Sequence, residues 1–177
     1  VVCYCPWLQS VRTRTKFIIL MHEDERRRPV ATGRMTALSL TNGELWVGNE
    51  VDDRPEFQDT LESGKAMLLY PGGTPVSALS ASSDAPSAVF VIDAKWGHSR
   101  QMLRDNPKLA SLPRLSFAGS YRSLFTIKRQ PHPRCLSTLE AVMSTIVELP
   151  GEEPTEGLKL LPPYFHMVSQ QIRYEKF

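Results

Sequence analysis

The sequence has few cysteines and no long apolar run, and each absence narrows the class of protein. Only 3 of its 177 residues are cysteine. This small, odd number argues against a disulfide framework and fits a reducing compartment, so we expect a cytoplasmic protein. No apolar run approaches the roughly 20 residues of a membrane helix, and we expect no membrane partner. The N-terminus has no charged region followed by an apolar stretch, so no signal peptide is expected.

Several nucleotide and catalytic signatures are also missing. The sequence contains no G-x-G-x-x-G, G-x-x-x-x-G-K-[ST], H-E-x-x-H or G-x-S-x-G, which removes the usual indications of dinucleotide binding, P-loop, zinc-protease or hydrolase chemistry. His98 and His132 have no neighbour at metal-ligand spacing, and for His22 we expect a structural or solvent-facing role. Cys3 and Cys5 form a C-x-C pair, half of a zinc site at best. We therefore predict no metal, apart from a partial zinc site at that pair.

Bulk composition is that of an ordinary soluble domain. Hydrophobic residues make up 41% of the chain and charged residues 23%, which is typical of globular proteins. The length suits one domain with a small appendage. We divide the chain into a Cys-containing segment, residues 1–15, and a main domain, residues 16–177, and we expect a monomer.

The net charge is small, but positive and negative residues are unevenly distributed along the sequence. The formal net charge is +2, yet residues 1–34 carry +4, residues 35–94 carry −7, residues 95–134 carry +8 and residues 135–177 carry −3. If folding brings the two basic blocks together, one face of the protein is positive. Such a face attracts polyanions, RNA above all. The alternative is a set of solvated surfaces whose charges cluster by chance.

Apolar periodicity predicts strands that alternate with helices. Strands are predicted at 16–22, 44–48, 66–70, 88–93 and 113–117, with 124–130 either a strand or an irregular loop. Helices are predicted at 30–40, 55–63, 95–106, 136–149 and 158–177, with a loop or weak helix over 72–87. This alternation is typical of an α/β fold with a mainly parallel sheet and flanking helices.

The segment 88–96 raises the main functional question. Its apolar strand ends on Asp93, and Trp96 opens the helix that follows. In parallel α/β sheets, ligands bind beyond the carboxyl ends of strands, and we expect 68–71, 91–93 and 112–115 to lie at that rim. A carboxylate held there can serve as a base or as the partner of a cation. The structural alternative makes Asp93 a helix N-cap and Trp96 a core residue.

Several ordered blocks resemble the DTW-domain family. "IDAKWGHSRQMLRDNPKLASLPRLSF" and "RQPHPRCLSTLEAV" match the family's D-T-x-W, LP and S-T-x-E-A blocks. The upstream "TRTKFIILMHEDERRRPVATGRMTALSL" and "AMLLYPG" match its earlier blocks in the same order, so the resemblance covers about residues 3–149. Two departures stand out. Ala94 replaces the usual Thr, and only Cys3 and Cys5 represent the family's Cys-rich N-terminal region.

The resemblance implies a fold and an activity. Family members are similar to the SPOUT class, with a trefoil-knotted α/β domain, and they transfer the 3-amino-3-carboxypropyl group of S-adenosylmethionine to RNA. Bacterial members modify uridine in tRNA, giving acp3U and methylthioadenosine. We therefore expect a tRNA-uridine aminocarboxypropyltransferase with S-adenosyl-L-methionine as cofactor and tRNA as partner.

The resemblance also assigns roles to residues. Asp93 is expected to act as general base or proton relay, and Trp96 to stack on the target base or close the pocket. Cofactor contacts are expected from Tyr70, Pro71, Ile92, Asp93, Leu112, Pro113, Leu115, Leu136, Ser137, Thr138 and Glu140. For Ser137, Thr138 and Glu140 a capping box without a ligand is the alternative. Phosphate contacts are expected from Arg26, Arg27, Arg28, Arg34, Arg129 and Arg134, each of which could instead be a solvated surface arginine.

Three other functions stay open on the sequence. A knotted RNA methyltransferase would use the same cofactor but release S-adenosylhomocysteine. A non-catalytic RNA-binding module, suggested by Ala94, would not need to bind S-adenosylmethionine. A relative that modifies rRNA would differ only in its RNA target.

Overall fold

Five parallel strands form the centre of the molecule. The computed structural model describes residues 3–28, 30–80, 85–119, 121, 123 and 135–174. Among them the strands lie in the order β2–β1–β4–β3–β5, and every pairing is parallel. Their bounds are Lys16–Met21 (β1), Glu44–Val47 (β2), Ala66–Pro75 (β3), Ala88–Asp93 (β4) and Arg114–Ser116 (β5). The predicted α/β fold with a mainly parallel sheet is confirmed.

Seven helices flank this sheet in the described part of the chain. They are Thr32–Ser39 (α1), Pro55–Glu62 (α2), Trp96–Asp105 (α3), Pro107–Ser111 (α4), Thr138–Glu148 (α5), Pro154–Leu158 (α6) and Leu161–Tyr174 (α7). None of them is both long and apolar enough to cross a membrane. The possible strand at 124–130 lies outside the described residues, and the trefoil knot stays a prediction.

Side-chain alternation along the strands divides the core into two layers. In β1, Phe17 and Ile19 face one side of the sheet, whereas Ile18 and Leu20 face the other. The first layer is completed by buried side chains of α1, α5 and α7, and the second by those of α2, α3 and α4. Because successive strand residues point to opposite faces, a strand's last residue is committed to one layer or the other.

Strand β3 runs further than predicted. The "PGG" at 71–73 predicts a strand end, yet β3 continues to Pro75 after a register shift against β5 between Leu69 and Thr74. Gly72 has φ +87°, and a Cβ on Gly73 would lie 2.1 Å from the carbonyl oxygen of Arg114. Glycine is therefore needed for the chain to bend and stay against β5.

Helix ends follow sequence signals in some places and not in others. The predicted capping box at the start of α5 is present: the Ser137 amide donates to Glu140 Oε2 at 2.8 Å, and the Glu140 amide donates to Ser137 Oγ at 3.4 Å. Pro107 follows the end of α3 as expected, but it also begins the short helix α4, which the sequence analysis missed. The short helix α6 was missed as well.

The described part of the N-terminal segment packs on the main domain. Val11 is fully buried and forms a parallel bridge with Leu40. Trp7 stacks on His166 of α7, with ring centroids 5.0 Å apart. These contacts tie residues 3–15 to the first core layer.

Candidate active site

A cavity of about 890 Å³ opens at the carboxyl ends of the strands. Its wall is built from the ends of β3, β4 and β5 and from the first turns of α1, α3 and α5. This is the position at which parallel sheets bind ligands, and the volume suits a small molecule. The cavity is the candidate active site.

Asp93 lies on the cavity wall and is nearly buried, with 8% of its surface exposed. As the residue two beyond Val91, it points to the layer that contains α1 and α5. The Thr138 hydroxyl donates a hydrogen bond to Asp93 Oδ1 at 2.6 Å. The helix after β4 is capped by Lys95 without any side-chain bond, so Asp93 is not the N-cap of that helix.

Helix α1 approaches the same carboxylate from the other side. A Cβ on Gly33 would lie 2.4 Å from Asp93 Oδ2 and 2.5 Å from its carboxyl carbon. Only glycine fits at this contact. Gly33 is the second residue of α1, and Thr138 is the first of α5. Two helix N-termini, which favour negative charge, therefore converge on Asp93.

Aromatic side chains form the wall next to Asp93. Trp96, half-buried at the start of α3, meets Tyr70 edge-on with ring centroids 6.0 Å apart. The Arg114 guanidinium lies 5.3 Å from the centre of the Tyr70 ring. Further round the cavity, Phe117 and Tyr121 have centroids 4.9 Å apart. Trp96 is thus a cavity residue and not a core residue, contrary to the structural alternative.

A second buried acid, Glu25, also lines the cavity, and the sequence analysis missed it. Glu25 Oε2 accepts from Arg28 Nε at 3.0 Å, and the residue is 7% exposed. Among the described residues Glu25 Oε1 has no hydrogen-bond partner. The E-x-x-R spacing in an otherwise charged loop is the signal that could have indicated this pair.

Most predicted cofactor contacts lie on the cavity wall. Tyr70, Pro71, Ile92, Asp93, Leu115, Leu136, Ser137 and Thr138 line it, as does Trp96. The expectation that Leu112 and Pro113 reach this rim is wrong, because they precede β5. The Leu68 amide donates to the Pro113 carbonyl at 2.9 Å, which places Leu112 and Pro113 at the amino-terminal end of β5. Residues beyond the carboxyl end of β5, such as Phe117, line the cavity instead.

Glu140 lies behind the cavity wall. It is 2% exposed and does not line the cavity. Its Oε2 accepts from the Ser137 hydroxyl at 2.7 Å and from the Ser123 hydroxyl at 2.8 Å. Burial, together with the nearby Glu140 charge, raises the pKa of the Tyr164 hydroxyl far above its usual range, so that hydroxyl stays protonated. Glu140 therefore caps α5 as the capping-box alternative predicted, and it does not reach the cavity as a cofactor contact would.

A smaller groove of about 470 Å³ carries the predicted phosphate contacts. It is lined by Arg26, Arg27, Arg28 and Lys95, together with Glu23 and Asp24. Arg28 and Lys95 also border the main cavity, so the two depressions share a cationic rim. Arg34 donates to the Arg26 carbonyl at 2.5 Å and supports the loop. Arg129 and Arg134 lie outside the described residues.

The three cysteines differ in their surroundings. Cys3 and Cys5 are exposed, and the neighbouring Cys3 side chain raises the pKa of the Cys5 thiol. Within the described part of the chain no third metal-ligating side chain joins them. Cys135 lines the cavity, although it was not among the predicted site residues.

Comparisons with known proteins identify relatives of this chain and a family model that matches it. A tRNA-uridine aminocarboxypropyltransferase 2 from Drosophila melanogaster is 28% identical over 157 residues, which are 84% of this chain and 62% of the relative. Those of Macaca fascicularis and Mus musculus are each 27% identical over 158 residues, which are 83% of the chain and 53% of each relative. The chain thus spans little more than half the length of these relatives. No solved structure matches it significantly. The DTW domain model matches residues 1–172, and the chain belongs to the DTW-domain family.

Proposed function

We propose that this chain is a tRNA-uridine aminocarboxypropyltransferase with S-adenosyl-L-methionine as donor. The names of its relatives support the reaction class. The observation that carries the proposal is Asp93, a buried carboxylate on a cavity wall where two helix N-termini meet. A fold alone would not support a function, whereas a positioned acid in a ligand-sized cavity does.

The reaction sets clear demands on the site. A bond forms between uracil N3 and the terminal carbon of the 3-amino-3-carboxypropyl group. The bond from that carbon to the sulfonium sulfur breaks, and methylthioadenosine leaves. The proton on N3 must pass to a base, and Asp93 is the group proposed to accept it.

The residues present fit the donor. A sulfonium cation suits aromatic faces and a nearby carboxylate, which Tyr70, Trp96 and Asp93 supply on one wall. Apolar side chains of the strand ends, Ile92 and Leu115, suit the adenine ring. The start of α5, with Ser137 and Thr138 on the cavity wall, suits the donor's carboxylate. When bound, the donor supplies an activated carbon for transfer.

The chain's own residues orient the base and shield it from water. Thr138 holds the Asp93 carboxylate through a 2.6 Å hydrogen bond, and Gly33 permits α1 to cover its other side. The target uracil is proposed to enter beside Trp96 and stack on the indole. Ala94 lines the cavity and packs against the second core layer, and the neighbouring Asp93 lies on the cavity wall in this chain without the family's usual Thr.

The cationic rim supports tRNA as the second substrate. Arg26, Arg27 and Lys95 are exposed around the groove next to the cavity. A surface of this kind binds phosphates without reading sequence. The rim would hold the tRNA backbone while one uridine enters the cavity.

Product analysis tests the proposal. The chain is incubated with unmodified tRNA and S-adenosylmethionine, and the digested nucleosides and the small-molecule product are identified by mass spectrometry. Formation of acp3U with methylthioadenosine is expected. S-adenosylhomocysteine with a methylated base would instead show a methyltransferase. Absence of both products and of donor binding by calorimetry, with tRNA binding retained, would show a non-catalytic RNA-binding module. An rRNA substrate tested in parallel separates the two RNA classes.

A further inference from the structure

Three metal-ligating side chains meet beside the cavity but outside it. The His22 and His98 rings are stacked, with centroids 4.1 Å apart and planes 18° from parallel. Asp24 Oδ2 lies 3.6 Å from His98 Nδ1 and 4.0 Å from His22 Nδ1. One ligand atom from each residue lies within 4.8 Å of the others. None of the three residues lines the main cavity.

The fold explains why residues so far apart in sequence meet here. His22 directly follows β1, and His98 is the third residue of α3, which follows β4. Strands β1 and β4 are parallel neighbours, so their carboxyl ends lie side by side. The His22 amide also donates to the Asp93 carbonyl at 3.1 Å, which joins the two strand ends. Sequence spacing alone could not show this cluster.

The ligand types and their spacing favour a transition metal. Imidazole nitrogen and carboxylate oxygen bind zinc at roughly 2.0–2.2 Å, which places ligand atoms of a tetrahedral ion roughly 3.3–3.5 Å apart. Asp24 Oδ2, at 3.6 and 4.0 Å from the two imidazole nitrogens, is thus close to the distance that a shared ion requires. An imidazole binds a metal in its ring plane, so coordination by both histidines requires one of the stacked rings to turn. His98 Nδ1 is buried and, among the described residues, has no hydrogen-bond partner. An ion could therefore bind to this nitrogen without replacing a hydrogen bond to another described residue.

Two features determine the coordination of a bound ion and its access to solvent. The Asp24 amide donates to His22 Nδ1 at 3.1 Å, so binding at that nitrogen would replace this hydrogen bond. The Asp24 side chain is 59% exposed, which leaves solvent access to the ion. Three protein ligands with open access is the arrangement of a zinc site that keeps one coordination position for water or another ligand.

We propose that His22, Asp24 and His98 form a binding site for a divalent ion of the zinc class. The ion would tie the 3-10 turn Glu23–Glu25 to α3. Since Glu25 and Trp96 line the cavity from these same two segments, a bound ion would fix one side of the cavity. The proposal concerns metal binding and does not depend on the proposed transferase reaction.

The test is titration of the full chain, treated with a chelator and dialysed, with Co²⁺ and Zn²⁺. The wild type is compared with His98→Ala, Asp24→Asn and, as a matched histidine control, His166→Ala. Cys3→Ser/Cys5→Ser removes the other candidate ligands. Circular dichroism confirms that each variant is folded. Co²⁺ is followed by visible absorption and Zn²⁺ by calorimetry.

One ion per wild-type chain is expected, with a Co²⁺ spectrum that lacks a sulfur-to-metal charge-transfer band. His98→Ala should lose more than the roughly 10- to 100-fold in affinity that loss of an outer-shell partner costs. Asp24→Asn should bind less tightly than wild type, and both control variants should bind as wild type does. The proposal is overturned if the wild type binds no ion, if His98→Ala binds normally, or if only the cysteine variant loses binding.

Discussion

Asp52 and Asp93 are two buried aspartates with the same exposed fraction, 8%, but different surroundings. The two oxygens of Asp52 accept the amides of Lys108 and Leu109 at 2.7 and 2.9 Å, at the first turn of α4. Asp93 accepts a hydroxyl from Thr138 on one oxygen and meets Gly33 with the other. Asp52 does not line the cavity, whereas Asp93 does.

The difference shows what a buried acid needs in order to act on a ligand. Asp52 holds the backbone amides of a helix end, so its charge is used in folding. Asp93 accepts the Thr138 hydroxyl, lies against Gly33 of α1 and borders a space large enough for a ligand. The comparison predicts that the same substitution affects stability at one position and turnover at the other.

Replacement of Asp93 by Asn should have the largest effect. An amide of the same shape cannot accept the uracil proton, and loss of a general base costs about 10²- to 10⁴-fold in rate. Single-turnover measurement of acp3U formation, with circular dichroism to confirm folding, tests this. Wild-type turnover in the variant would remove Asp93 from the chemistry.

Replacement of Asp52 by Asn is the matched change at the other acid. The amide nitrogen would face a backbone N–H, and an unsatisfied buried group costs about 1–3 kcal/mol, or roughly 5- to 150-fold in the folding equilibrium. Urea unfolding should show this loss, while the rate per folded molecule stays at the wild-type value. Equal losses of rate in the two variants would contradict the contrast drawn between them.

Replacement of Gly33 by Ala tests the contact that shapes the Asp93 site. The new Cβ would overlap Asp93 Oδ2, so the carboxylate or α1 must move. Overpacking of this kind costs about 1–3 kcal/mol, and we expect about a tenfold loss of turnover together with lower stability. The variant is examined by urea unfolding and by the transfer assay. A variant equal to wild type in both would mean that the close approach is unimportant.

Replacement of Glu25 by Gln asks whether a third buried acid resembles Asp93 or Asp52. Glu25 lines the cavity but is paired with Arg28. We expect several-fold weaker binding of S-adenosylmethionine, about 1 kcal/mol, because one charged contact of the cavity becomes neutral. Calorimetry measures this. An unchanged donor affinity with lower stability would place Glu25 in the class of Asp52.

Charge reversal at Arg26 and Arg27 tests the cationic rim. Both side chains are exposed, and neither lines the main cavity. The double Glu variant should bind tRNA several-fold less tightly at moderate salt, with a shallower salt dependence, and bind the donor as before. Arg104→Glu/Lys108→Glu, a reversal of equal charge away from the groove, is the control. If both variants weaken tRNA binding equally, the rim has no special role.

Much of the fold was predictable from local patterns. The strand at 88–93 and the capping box at Ser137 follow from apolar runs and cap residues, which act over a few positions. The extension of β3 was missed because "PGG" usually ends a strand. Here Gly73 lies too close to β5 for any side chain, a contact that only the tertiary structure defines.

The residues of the site could be predicted where they lie at the carboxyl end of a strand that the sequence itself indicates. Asp93 is the last residue of a central strand, so its place at the rim could be expected. Leu112 and Pro113 were misplaced because the strand begins after them and does not end there. The His22–His98 pair joins segments far apart in sequence, and no local pattern indicates it. The E-x-x-R spacing indicates the pairing of Glu25 with Arg28, but not that Glu25 lines the cavity.

A crystal structure of the chain with S-adenosylmethionine bound tests the central claim most directly. The account predicts donor density in the cavity bounded by Tyr70, Asp93 and Thr138, with the sulfonium on the wall that carries Asp93. Donor density elsewhere on the molecule, with the Asp93 carboxylate far from it, would contradict the account.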